Sequence, residues 1–210
     1  MMKTTLARTM TVCALSACIG IARAAAPETA AIAKPGSPAP AFTLPDLAGT
    51  AHALETFKGS YVVLEWVNHD CPFVRKHYET GRMGALQRQL AGEGVVWLSI
   101  GSSAPGKQGH FTPEVWKERM AKVEAAPRAV LLDADGKVGR LYGARTTPHL
   151  FVIDPQGGIV YAGAIDNQPG LDRGVMDQAV NYVVQALAEA RAGKPVSVPA
   201  TDPYGCSVKY

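Results

Sequence analysis

Cysteine is scarce in this chain. There are four among 210 residues, and two of them, Cys13 and Cys18, fall within the first 24 positions. Cys71 and Cys206 remain, too few for a small fold stapled by disulfides. Long apolar runs are equally few. Beyond position 24 none approaches the roughly 20 residues a membrane-spanning helix needs. No internal repeat or low-complexity tract is visible, which argues against solenoids and arrays. A charge excess is missing as well. Without Lys3, Arg8 and Arg23 the 21 basic residues fall to 18, against 18 acidic. The basic balance of the full chain therefore belongs to its first residues, and nothing suggests a nucleic-acid surface.

Those first residues read as a targeting segment over 1–24. Lys3 and Arg8 make a positive start, TMTVCALSACIGIA follows as an apolar run, and Ala22-Arg23-Ala24 supplies small residues around a cleavage point. The mature protein is thus expected in the periplasm or otherwise exported, where oxidising conditions let two cysteines pair or do redox work. A minor alternative is Leu15-Ser16-Ala17-Cys18, which resembles a lipoprotein box and would anchor the protein through a lipidated Cys18. Cleavage after Ala24 uses the whole apolar run. Residues 25–35 form a flexible lead-in, 36–193 one domain, and 194–210 a tail without helical period.

Within the domain, strands and helices alternate. Tyr61–Val67 is a β-rich run, read as a central strand. A helical stretch follows from Pro72 to about Leu90, split at Gly81 and Gly84. Val95–Ile100 is a second buried strand. Thr112-Pro113-Glu114 caps a helix whose apolar face carries Trp116, Met120 and Val123. Ala129–Asp133 is a third strand, closed by the turn Asp133-Ala134-Asp135-Gly136, and KVGRLY is a short helix ending at Gly143. His149–Asp154 and Ile159–Ile165 form a hairpin. The last helix spans about Gly174 to Arg191, with Val175, Val180, Val183, Val184 and Leu187 as its core side. This order predicts an α/β architecture with a mixed central sheet flanked by helices.

The sharpest local feature is Asn68-His69-Asp70-Cys71-Pro72, between a buried strand and a helix. Catalytic groups of open α/β sheets sit at such strand ends. Pro72 suits the first helical position, which puts Cys71 at or beside the N-cap. The partial positive charge there favours thiolate over thiol. Asp70 opposes this, whereas His69, Arg75 and Lys76 could assist it. The plain alternative is a small buried apolar residue.

GSPAPAFTLPDLAG, the strand ending in CP, and ARTTPHLFVIDPQGGIVYAG, in that order, resemble the redoxin branch of the thioredoxin-like superfamily, which includes the AhpC/TSA peroxiredoxins and periplasmic thiol–disulfide reductases. The resemblance covers roughly residues 36–192. The ending PYGCSVKY is similar to that of a peroxiredoxin-like subgroup marked by CPFV and TTPH. The resemblance implies a thioredoxin-like fold, a redox-active Cys71, and a cis bond before Pro148 in a loop facing it. Asn68, Pro72, Arg145, Thr147 and Pro148 are the expected supporting residues. There are departures. Val74 stands where C-x-x-C reductases carry the second cysteine. Leu64 and Asn68 replace the proline and threonine of the peroxiredoxin P-x-x-x-T-x-x-C motif, and Pro148 falls where their peroxide-binding arginine would be.

The expected chemistry is attack by the Cys71 thiolate on a disulfide or a peroxide, with a thiol reductant completing the cycle and no cofactor or bound metal. Cys206 is the candidate resolving thiol; its other reading is an incidental cysteine in a mobile tail. Two rival classes remain. His69, Cys71, His77 and His149 could offer ligands to copper or zinc, and a thioredoxin-like domain could also be a non-catalytic binding module.

Overall fold

The computed structural model describes residues 1–2 and 33–210. The expected targeting segment and most of the lead-in, with Cys13 and Cys18, lie outside the described residues. The domain begins with a short antiparallel pair, β1 (Thr43–Pro45) and β2 (Ala51–Ala53). β3 (Val62–Trp66) follows, buried along its whole length. Successive strand residues face opposite sides. Val62, Leu64 and Trp66 accordingly join one core cluster, while Val63 joins the other.

The chain then forms α1 (Pro72–Tyr78) and α2 (Arg82–Gly92). The break falls at Gly81, whose φ of 74° is left-handed, and Gly84 stays helical. β4 (Val96–Gly101) pairs parallel with β3. α3 (Pro113–Lys122) starts at Thr112, whose hydroxyl accepts the Val115 N–H as a cap. Trp116 is buried beneath it, with Met120 and Val123 packed against the same cluster. β5 (Ala129–Leu132) pairs parallel with β4, and α4 (Lys137–Tyr142) ends at Gly143. The two-residue β6 (Thr146–Thr147) leads into the hairpin of β7 (His149–Ile153) and β8 (Ile159–Gly163).

The central sheet runs in the order β5-β4-β3-β7-β8, with β3, β4 and β5 parallel and β7 antiparallel to both its neighbours. The helical crossovers that parallel strands require are α1–α2 and α3. One face holds Val74, Tyr78, Leu90, Trp97 and Trp116 and the inner side of α5 (Tyr182–Arg191); the other holds Phe42, Leu98, Val138, Tyr142 and Phe151. Each such buried side chain is worth about 1.5–3 kcal/mol, so both layers carry the fold.

One expectation needs correction. α5 begins at Tyr182, eight residues later than the apolar spacing suggests, after a short 3-10 turn at Met176–Gln178. Asn181 caps it by accepting the Val184 N–H. Its buried side is Val183, Ala186 and Leu187, while Val180 and Val184 are exposed. The segment 194–210, read as a tail without helical period, runs along the domain. Pro199 and Thr201 hydrogen-bond along Ala162 of β8, and the chain then forms β9 (Cys206–Ser207), antiparallel to β6.

Candidate active site

Cys71 is the N-cap of α1, with Pro72 in the first turn. Asn68 and the residues after it make the tight turn that aims the cysteine. The Asn68 side-chain oxygen accepts the Asp70 N–H at 2.9 Å, its backbone oxygen accepts the Cys71 N–H at 2.9 Å, and its amide donates to the Gln108 carbonyl. Cys71 itself is fully buried. Its thiol donates to the Thr147 carbonyl at 3.0 Å, across 76 residues of sequence. The Thr147–Pro148 bond is cis.

The second side of the site is the tail. In the β6–β9 ladder Cys206 lies opposite Thr147, and the Cys206 N–H donates to Cys71 Sγ at 3.4 Å. Both cysteines are free thiols, Cys71 buried and Cys206 half-buried. The approach depends on Gly205. Its φ is 136°, and a Cβ there would lie 2.1 Å from the Thr147 carbonyl oxygen, so a side chain would push β9 off β6.

Further tethers hold this segment. Tyr204 Oη accepts from His77 Nε2 at 3.1 Å and donates to Asp166 at 2.5 Å. The Thr201 hydroxyl accepts the Ala164 N–H, the Ala104 N–H donates to the Lys209 carbonyl, and Tyr210 Oη donates to the Ala144 carbonyl.

Burial pushes the Cys71 thiol up, yet hydrogen bonds from the Cys206 thiol and N–H, the Val74 N–H and Thr147 outweigh it, and its pKa is lowered. Cys206 moves the opposite way, to about 11, through burial, its hydrogen bond with Cys71 and the charge of that thiolate. The two thiols are thus unlike: one ionises readily and is enclosed, the other resists ionisation and is partly open. The source of the Cys71 shift differs from the charges expected around it. Arg75 pairs with Glu79, Lys76 is buried and donates to the Gly170 carbonyl, and Asp70 is ion-paired with Arg119. Burial, with the nearby Arg119 charge, pushes His69 down to about 4, so it is neutral at pH 7.

The remaining expected residues divide. Asn68, Pro72 and Thr147 adjoin Cys71, and Pro148 follows Thr147 across the cis bond. The Arg145 guanidinium instead reaches Asp202, while its backbone carbonyl accepts the Val208 N–H of the tail. The copper or zinc donor set is not assembled. The His69 ring packs edge-on between Tyr78 and Trp116, His77 bonds to Tyr204, and His149 Nδ1 accepts the Arg145 N–H. Among the described residues no group of three or more His, Cys, Asp or Glu side chains is placed to hold a metal.

The sequence reading missed Glu65, fully buried in the middle of β3. One of its oxygens accepts from Tyr78 Oη, Trp97 Nε1 and Ser99 Oγ, at 2.7, 2.8 and 3.0 Å; the other has no partner. Burial raises its pKa, against those three donors. A lone carboxylate inside a run of strand residues was its only signal.

Comparison with known proteins agrees with this architecture. A hypothetical protein from Sinorhizobium meliloti superposes with a TM-score of 0.71 at 25% identity, covering 86% of this chain and 96% of that one. The thioredoxin domain of a thiol-disulfide oxidoreductase from Bacteroides vulgatus gives 0.50 at 26% identity, covering 61% and 86%. A thiol:disulfide interchange protein from Bacteroides sp. gives 0.51 at 25% identity, covering 62% and 81%. No curated protein matches the chain. The mixed sheet with its flanking helices is a thioredoxin-like fold. The AhpC/TSA family profile matches residues 35–162, well over half of the sequence, and the chain belongs to the AhpC/TSA family.

Proposed function

We propose that this protein is an exported thiol–disulfide oxidoreductase in which Cys71 and Cys206 form one redox pair. The observation that carries the reading is the β6–β9 pairing, which sets the Cys206 N–H 3.4 Å from Cys71 Sγ. Val74 cannot close a C-x-x-C bridge, and the tail supplies the thiol that the motif lacks. Oxidation joins the two sulfurs and removes two protons and two electrons; a thiol reductant reverses it through a mixed disulfide. The solved thiol–disulfide exchange proteins of similar fold support this chemistry. The full burial of Cys71 beside a second thiol supports this reading over peroxide reduction.

The test is non-reducing peptide mapping of the mature protein after treatment with diamide at low protein concentration. A Cys71–Cys206 cross-linked peptide is expected, together with loss of disulfide reductase turnover in Cys71→Ser. If oxidation yields only Cys71-linked dimers or external mixed disulfides, the redox pair is wrong. Export is supported by the sequence pattern of residues 1–24; among the described residues no helix is long and apolar enough to cross a membrane. Intact mass of protein from the periplasm should place the N-terminus at Ala25. A lipidated Cys18 would favour the anchored form, and a retained Met1 would defeat both.

A further inference from the structure

The two sulfurs of this pair meet solvent unequally, and that sets a direction on the exchange. Cys71 has no exposed surface. It is enclosed by α1, by the Thr147 carbonyl and by β9. Cys206 is half-buried on β9, a two-residue strand paired on one side to β6 and followed by the exposed Ser207. Thiol–disulfide exchange needs the attacking, central and departing sulfurs nearly in line. Both sulfurs adjoin one packed cluster, Cys71 as a member with no exposed surface and Cys206 as a partly buried residue against it, so an attack on Cys71 would have to pass through packed side chains. Of the two, only Cys206 keeps surface that a thiol in solution can reach.

We propose that an external thiol attacks the Cys71–Cys206 disulfide at Cys206, so that the mixed disulfide forms on the tail and Cys71 departs. The inference rests on the redox-pair reading above. In the first step a substrate thiolate forms a bond to Cys206 Sγ, the Cys71–Cys206 bond breaks, and its electron pair leaves on Cys71 as thiolate. In the second step another substrate thiolate attacks the substrate sulfur of the mixed disulfide. Cys206 departs, each protein thiolate takes up a proton released by a substrate thiol, the substrate leaves as a disulfide, and the protein is left as two thiols. Two substrate thiols are oxidised and one protein disulfide is reduced, with no further reactant.

The departing side is built for this. The Cys206 N–H and the Val74 N–H of α1 face the Cys71 sulfur and favour its anion, and a thiol of lower pKa leaves faster. The reverse cleavage would need the attack to fall on the sulfur with no exposed surface, so it is disfavoured on access. Cys71 is therefore the internal thiol of the pair and Cys206 the one that meets the partner. This division is opposite to the roles that the position of Cys71 at a helix start suggests.

The experiment uses the wild-type protein oxidised with diamide and then mixed with a few equivalents of reduced glutathione. Samples are quenched within seconds in acidic denaturant containing N-ethylmaleimide and mapped without reduction, with adduct ratios extrapolated to zero time. Glutathione should be found on Cys206 and maleimide on Cys71, exceeding the reverse arrangement at least tenfold. Glutathione mainly on Cys71, equal labelling of both, or a disulfide that does not react would overturn the proposal. If diamide forms no Cys71–Cys206 bond, the redox pair falls and this inference with it. If the bond forms and glutathione lands on Cys71, the redox pair stands and this inference alone falls.

Discussion

The Cys71 sulfur accepts hydrogen bonds from the tail as well as from its own helix, so its ionisation depends on a residue 135 positions away. Cys206→Ala removes the thiol donor and keeps the backbone N–H. The Cys71 pKa should then rise, because burial is the largest influence on it and would be less opposed. Ultraviolet thiolate absorbance against pH reads this directly. The wild type should show an early transition for Cys71 and a late one near pH 11 for Cys206; the variant should show only the first, moved upward. An unmoved first transition would mean that the helix start alone sets it. Glu65 makes the opposite case, a buried acid whose worth lies in its partners. Glu65→Leu strands the Tyr78, Trp97 and Ser99 donors and should cost roughly 3 kcal/mol or more, whereas Glu65→Gln keeps an acceptor and should cost about 1 kcal/mol. Urea unfolding of the two variants would separate them, and equal losses would show that the hydrogen bonds are not what matters.

At the scale of elements, much was legible because the signals are local. The Cys71-Pro72 step after a buried strand places a helix start, and Thr112-Pro113 does the same for α3. The alternation of β3 side chains between the two core layers follows from period two. The errors also have local causes. Val175 and Val180 fit a helical spacing with Val183 and Leu187, but a 3-10 turn at Met176–Gln178 comes first and Asn181, extended and bridged to Asp166, caps the helix behind them. β9 left no trace, since two residues have no period and their pairing is set by backbone groups far away in sequence. Gly205 is the one residue in that segment whose identity the pairing demands. Gly205→Ala should cost about 1–3 kcal/mol of strain, lift β9 from β6 and expose Cys71. Alkylation of Cys71 should accelerate and the Cys71–Cys206 bond should form more slowly. If alkylation is unchanged while stability falls, the tail does not cover the thiol in solution.

Over the whole molecule, three histidines are buried in neutral form. Burial pushes His69 and His77 to about 4 and His149 to about 3. In the unfolded chain they would titrate near pH 6.5. A pKa lowered on folding gives stability that is fully present above the unfolded value and is lost as pH falls toward the folded one. Thermal stability should therefore decline from about pH 6.5 down to about pH 4. His149→Asn should flatten part of that decline in melts collected between pH 7.5 and pH 4. A parallel decline in the variant would exclude His149 from the effect. None of this was readable beforehand, since a histidine's burial depends on which elements close over it.

The tail crosses β8, α1, β6 and α4 in turn, fastened by Thr201, Tyr204, Cys206 and Tyr210. Chains emerge in order and domains fold as their residues become available. Here every strand of the central sheet and every helix lies upstream of Ala192. The sheet and its helices can therefore assemble around a Cys71 that is still uncovered, and the thiol acquires its lid and its partner only when the last segment arrives. Until it does, the folding domain presents an open Cys71 to whatever oxidants and folding catalysts surround it, a form that the finished molecule conceals.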